Sequence, residues 1–169
     1  MASVIPDQSG MNFIAENTFH IEDSISYANI HDKGVRSVEF VRIKNDAMLL
    51  FIEAKSSFPN PNNPSEENSV KFQNEISEVC EKFKHSLNLF SSIRIGVTKE
   101  TLPDDFIVPE TVTLVFVLVV RNHELKWCKP IKGEIETMLP HYLKMIWNPT
   151  VLVINQEEAA EQGLIERHN

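Results

Sequence analysis

Three charged residues stand in an otherwise apolar part of the chain. Glu39 directly follows Val38, and Glu53 and Lys55 end the apolar run 48–52. Because side chains alternate across a strand, Glu53 and Lys55 share one face, with their Cα atoms about 7 Å apart. Neighbouring carboxylates repel each other, and one takes up a proton unless a cation holds both. Mg²⁺ suits such oxygen ligands and keeps several waters that a phosphate can replace.

The element that must position these residues is a β-hairpin. Two runs rich in Val, Ile, Leu and Phe flank the polar pair Asn45-Asp46, which predicts a hairpin over residues 35–57. A turn centred on this pair places Glu39 nearly opposite Glu53. The two side chains share a face in one register only, since a slip of one residue separates them. The apolar run 48–52 indicates a strand that is covered on both faces.

An acidic residue on one strand, followed by an apolar strand that ends in Glu-x-Lys, resembles the core of the PD-(D/E)XK nuclease superfamily. Glu39 matches the first acidic position, and Glu53-Ala54-Lys55 matches the (D/E)-x-K motif. The resemblance implies a Mg²⁺-dependent phosphodiesterase, with Mn²⁺ as a substitute, that acts on nucleic acid, above all DNA. It implies that Glu39 and Glu53 hold the metal. It also implies that Glu53 and Lys55 are catalytic, with Lys55 orienting or activating the attacking water.

The sequence departs from the superfamily pattern in its acidic residues. The first acidic position is Glu39 rather than Asp, and no Pro precedes it. The superfamily often adds a glutamate from an early helix, for which Glu22 and Glu16 are the nearby candidates. We take Glu22 as the further metal ligand. Of the histidines, only His20 and His31 lie near the hairpin in sequence.

A second interpretation of the same residues involves no catalysis. Glu53 and Lys55 then form an ion pair at a strand end, and Glu39 faces solvent on an edge strand. The chain is in that case an inactive nuclease-like binding or assembly module that acts with a partner. The net charge of −8 favours this interpretation, because binding to phosphates by charge alone needs Lys and Arg. A homodimer or a partner protein is compatible with either interpretation.

Composition predicts one globular domain over residues 1–169, with a polar and frayed segment at 1–12. Hydrophobic residues make up 42% of the chain and charged residues 24%, as in ordinary globular proteins. The N-terminus has no signal-peptide pattern, and no apolar run approaches the roughly 20 residues of a membrane span. We therefore expect a cytoplasmic protein with no membrane contact. Cys80 falls on an apolar helix face, which predicts a buried free thiol.

The remaining elements predict an α/β fold. Residues 13–30 give conflicting signals, and we expect a short helix or strand there that covers the sheet. A Pro- and Asn-rich loop follows the hairpin, and then a long helix with Asn63 as its N-cap. We assign four polar residues of this helix to its solvated face, with contact to a phosphate backbone as the alternative: Lys71, Gln73, Lys82 and Lys84. The later predictions are a strand at 112–120, a helix at 127–147 kinked by Pro140, a strand at 151–154 and a helix at 157–162.

Strands separated by helices favour parallel, right-handed crossovers in a layered sheet. The predicted order matches the core that the resemblance implies. We therefore expect a restriction-endonuclease-like mixed sheet flanked by helices, with an extra α-β unit at the C-terminus.

Overall fold

The computed structural model describes residues 3–167. In that range the strands are β1 (Val4–Pro6), β2 (Asn12–Ile14), β3 (Thr18–Phe19), β4 (Phe40–Lys44), β5 (Met48–Lys55), β6 (Thr113–Val120) and β7 (Thr150–Asn155). The α-helices are α1 (Ile25–Ala28), α2 (Glu66–Arg94), α3 (Leu125–Met138), α4 (His141–Trp147) and α5 (Gln156–Glu161). A 3₁₀ turn, His31–Lys33, lies between α1 and β4.

The main sheet has five strands in the order β3-β4-β5-β6-β7. Strands β3, β4 and β5 are antiparallel neighbours, whereas β6 and β7 run parallel to β5. Parallel neighbours need long crossovers, which α2 supplies before β6 and α3 with α4 before β7. The predicted α/β class, with a mixed sheet flanked by helices, is confirmed.

Strand β5 is covered on both faces, as the apolar run predicted. On one face, Phe51 packs edge-on against Phe90 of α2, and Phe116 of β6 stacks on Phe83 of α2 with ring centroids 4.6 Å apart. On the other face, Leu50 and Ile52 belong to a second buried cluster with Met11, Phe13 and Ile165. The sheet therefore separates two hydrophobic cores, and any charge on β5 is held in an apolar setting.

The expectation of a frayed segment at 1–12 is wrong for the part that the structure describes. Strand β1 pairs antiparallel with β2, and residues 1 and 2 lie outside the described range. Met11 and Phe13 are almost fully buried, and Phe13 packs 4.8 Å from Phe40 between ring centroids. These two apolar side chains fix the polar N-terminal hairpin to the sheet.

Two helix boundaries differ from their predictions. Helix α2 has Ser65 rather than Asn63 as its N-cap, because the Ser65 hydroxyl accepts a hydrogen bond from Asn68 N at 3.2 Å. The predicted helix at 127–147 is two helices, since Pro140 is the N-cap of α4 and breaks the run rather than kinking it.

None of the helices within residues 3–167 is long and apolar enough to cross a membrane.

The hairpin tip holds three residues, 45–47, between the paired residues Lys44 and Met48. Asn45 and Asp46 both have positive φ, at 53° and 49°, and Ala47 N donates to Lys44 O at 3.3 Å. These values fit a type I′ turn, which matches the twist of the strands it joins. The tip therefore sets the register of β4 against β5.

Candidate metal centre

Glu39 lies across from Glu53 on one face of the sheet. The β4–β5 register pairs Phe40 with Ile52, so the next position outward places residue 39 opposite residue 53. Opposite residues of antiparallel strands project from the same face, with Cβ atoms about 5 Å apart. Phe51 projects from this face too and packs against α2. Continuing this register thus sets positions 39 and 53 opposite each other, and the charge of Glu53 acts on Glu39.

Glu53 is completely buried, with 0% of its surface exposed. Its Oε1 accepts a hydrogen bond from Lys82 Nζ at 2.8 Å and lies 3.9 Å from Lys55 Nζ. Its Oε2 has no hydrogen-bond partner among the described residues. Burial raises the pKa of Glu53 to about 7, although Lys82 and Lys55 act in the opposite direction. A buried carboxylate oxygen without a donor is a position that a cation fits.

Glu39 shares its environment with Glu22. Glu39 is 8% exposed, and Glu22 N donates to Glu39 O at 3.5 Å. Burial, followed by a hydrogen bond with the Glu22 carboxyl group and repulsion from Glu22 and Glu53, raises the pKa of Glu39 to about 10. Glu39 therefore holds a proton more tightly than a solvated carboxyl group does, because it is buried beside Glu22. This is the behaviour expected of carboxylates that a divalent ion would otherwise bridge.

Glu22 reaches this position from a turn rather than from the early helix that the resemblance implied. It lies between β3 and α1, close to the start of the short helix. Glu16, the other candidate, lies in the turn before β3, where its charge acts on Arg42. Glu22 is therefore the glutamate that joins the cluster.

His20 stands at the open side of the same cluster. Its Nε2 lies 4.0 Å from Glu39 Oε2, and its Nδ1 lies 3.1 Å from Asp23 Oδ2. One ligand atom each from His20, Glu22 and Glu39 all lie within 4.8 Å of one another. An open groove of about 550 Å³, lined by His20 and Asp23 among others, connects this side to solvent. Proximity to the hairpin in sequence was the only signal that pointed to His20.

Lys55 lies on the same face but is held by α2. Its Nζ is 2.9 Å from Glu78 Oε1 and 3.0 Å from Glu75 Oε2. Burial lowers the pKa of Lys55, but the hydrogen bond to Glu78 and the nearby carboxylates outweigh it, so that the pKa lies above its usual value. Lys55 is thus a charged ammonium group beside Glu53, already engaged by two carboxylates.

Two predictions about these charges are wrong. Lys82 was assigned to the solvated face of α2, but its side chain is 14% exposed and bonded to Glu53. The second interpretation placed Glu39 in solvent and Glu53 in a surface ion pair with Lys55, but both carboxylates are buried. The missed signal is the spacing of Glu75, Glu78 and Lys82, which recur at three and four residues along one stripe of α2.

The residues present fit a hard or borderline divalent cation. Glu22 and Glu39 offer oxygen ligands and His20 a nitrogen within 4.8 Å of one another, whereas Glu53, whose Oε2 has no hydrogen-bond partner among the described residues, lies outside this group. Comparison with protein-family models, curated proteins and solved structures finds no significant match to this chain.

Proposed function

We propose that the chain is a PD-(D/E)XK-type nuclease, with a restriction-endonuclease-like core, that hydrolyses phosphodiester bonds of nucleic acid, most favourably DNA. The observation that carries the proposal is the buried Glu53 with its free oxygen, opposite Glu39 and beside Lys55. The element order supports it. The antiparallel strands β3-β4-β5, the crossover helix α2 and the parallel strand β6 follow the order that the resemblance implies.

Each residue has a distinct part in this proposal. Glu39, Glu53 and Glu22 would hold Mg²⁺, or Mn²⁺ in its place. When bound, the cation supplies a water of lowered pKa and offsets the charge that develops on the phosphate. Lys82 stabilises the ionised form of Glu53 through its 2.8 Å hydrogen bond and so opposes the rise in pKa that burial causes. Lys55 presents an ammonium group on the same face, where it orients the attacking water.

A cleavage assay tests the proposal. Plasmid, linear duplex and single-stranded DNA are incubated with the pure protein and either Mg²⁺, Mn²⁺ or EDTA. We expect cleavage that needs the cation and that falls at least a hundredfold in Glu53→Gln, Glu39→Gln and Lys55→Ala. Glu67→Gln and Lys71→Ala are matched controls on the exposed part of α2 and should cleave normally. Cleavage that persists unchanged in the Glu53 and Lys55 variants would contradict the proposal.

A second candidate function is an inactive nuclease-like module that binds a partner. The observation that favours it is the ion pairing inside the site. Lys55 contacts Glu75 and Glu78, and Lys82 contacts Glu53, so each ammonium group is balanced within the chain. Metal titration separates the two candidates. An active site gains thermal stability with Mg²⁺ or Mn²⁺ by mass action, whereas a module without a metal site does not.

A further inference from the structure

The His20 ring is oriented by Asp23. The distance of 3.1 Å between His20 Nδ1 and Asp23 Oδ2 allows Nδ1–H to donate to the carboxylate. In the neutral ring, Nε2 then carries the lone pair. Metal-binding histidines in proteins commonly have this arrangement, in which a carboxylate fixes the tautomer from behind the ring.

Nε2 is the ring nitrogen that lies near Glu39. Nε2 lies 4.0 Å from Glu39 Oε2, which is too long for a hydrogen bond. Two metal–ligand bonds of about 2.1 Å each span this separation. The ring is also held from the side, because it packs on Phe40 with centroids 4.7 Å apart. The position of Nε2 is therefore set by two independent contacts.

A second, independent feature points to a ligand at this place. Glu53 is fully buried, its Oε2 lacks a hydrogen-bond partner within residues 3–167, and its charge acts on Glu39. On the other side of Glu39, His20 and Asp23 line a groove that is open to solvent. The cluster thus has a buried carboxylate near one side and an imidazole at an open groove on the other.

We propose that His20 is a ligand of this metal site, together with Glu22 and Glu39, and that it makes the site select Mn²⁺ over Mg²⁺. The inference rests on the proposed function in using the same carboxylates. Imidazole nitrogen suits first-row transition ions, whereas Mg²⁺ prefers an all-oxygen shell. Asp23 is a positioning residue, since it acts through the ring and contacts no metal.

Calorimetric titration of the full chain with Mn²⁺ and with Mg²⁺ tests this assignment. We expect the wild-type protein to bind Mn²⁺ at least about tenfold more tightly than Mg²⁺. His20→Gln should lose at least about tenfold in Mn²⁺ affinity and change little in Mg²⁺ affinity. Asp23→Asn should lose about tenfold in Mn²⁺ affinity through the ring. His31→Gln is the matched control, because His31 is exposed in the 3₁₀ turn, and it should bind both ions normally.

Pulsed electron paramagnetic resonance of the Mn²⁺-loaded wild type needs no variant to fold. Modulation from a directly bound nitrogen supports the inference, and its absence overturns it. Equal affinities for the two ions, or a His20→Gln protein that binds Mn²⁺ unchanged, also overturn it. DNA cleavage is scored separately. If DNA is cleaved but His20 has no effect on metal binding, the nuclease proposal is supported and the His20 ligand is rejected. If Mn²⁺ binds through nitrogen but DNA is not cleaved, the metal site is supported and the nuclease proposal is rejected.

Discussion

Lys82 reaches from α2 to Glu53 on β5, with 2.8 Å between its Nζ and Glu53 Oε1. The carboxylate is fully buried, and the lysine side chain is 14% exposed. The pair therefore joins the helix to the sheet at the point where the sheet is otherwise most apolar. Charged pairs in such settings are costly to break, because the remaining partner is left without compensation.

Replacing Lys82 with Met should destabilise the metal-free protein by about 3 kcal/mol, because Glu53 stays buried without its cation. Urea unfolding at neutral pH measures the change. The double variant Glu53→Gln/Lys82→Met should recover most of the loss, since no unpaired charge remains. Lys71→Met, on the exposed part of α2, serves as the control and should change stability little. An equal loss in the single and double variants would show that packing, rather than charge, dominates.

Ser86 of α2 holds the segment that precedes Glu39. Val38 N donates to Ser86 Oγ at 2.8 Å in a fully buried environment. Ser86→Ala leaves this N–H without an acceptor, and we expect a loss of about 2 kcal/mol in the free energy of unfolding. Metal affinity should fall as well, because residue 39 is no longer fixed. Ser91→Ala, on the same helix, removes only a hydroxyl bonded to Leu87 O and should leave metal affinity unchanged.

Glu39 should make the metal-free protein less stable as pH rises. Burial and the hydrogen bond with Glu22 raise the pKa of Glu39 from 4.5 to about 10. Between these values the folded protein holds a proton that the unfolded chain has released, so stability falls as pH rises through this window. Thermal unfolding in EDTA at pH 5, 7 and 9 should show a smaller decline for Glu39→Gln than for the wild type. Parallel declines would contradict the assigned burial.

Freeing Lys55 should strengthen binding to DNA. Glu75→Gln/Glu78→Gln removes the two carboxylates within 3.0 Å of its Nζ. One additional phosphate contact steepens the dependence of log affinity on log salt concentration by about 0.9 for duplex DNA. Fluorescence anisotropy over a series of salt concentrations measures this slope. Glu134→Gln/Glu136→Gln, exposed on α3, changes the net charge equally and should leave the slope unaltered.

The hairpin tip offers a stabilising change. Asp46 has a φ of 49°, which glycine adopts without strain. Asp46→Gly should therefore raise the free energy of unfolding by about 0.5 kcal/mol, as the Asn-Gly pair is favoured in type I′ turns. Asp46→Ala should instead lower it by about 1 kcal/mol, because alanine keeps the Cβ that disfavours this conformation and lacks the short polar side chain that lets Asp adopt it. Urea midpoints of both variants check the sign, and a destabilised Asp46→Gly protein would contradict the turn type.

Local periodicity was enough to predict several elements. These are the β4–β5 hairpin with its register, the long helix α2, and strands β6 and β7. Each of these signals lies within a few residues of the element that it predicts. The opposition of positions 39 and 53 could be predicted because a tip centred near Asp46 pairs residues that lie equally far from it along the two strands.

The other half of the site depended on contacts between distant parts of the chain. Lys82 lies on an amphipathic helix, and only the packing angle of α2 decides whether its stripe faces water or Glu53. His20 and Glu22 belong to a segment whose apolar residues follow neither a helical nor a strand periodicity. The hydrogen bond from Glu22 N to Glu39 O brings this segment next to Glu39. Strand β1 was missed for the same reason, since Met11 and Phe13 bury against residues far away in sequence.

The three-residue tip also fixes the alignment of the two strands. Residues 39 and 53 are each seven positions from Asp46, so the chain measures their alignment by counting outward from the bend. Inserting a single amino acid into one arm, without a compensating bulge, would turn one acid group to the Leu50 side of the sheet and away from α2. Extension by matched pairs, one in each arm, would lengthen the hairpin and leave the two acids facing each other.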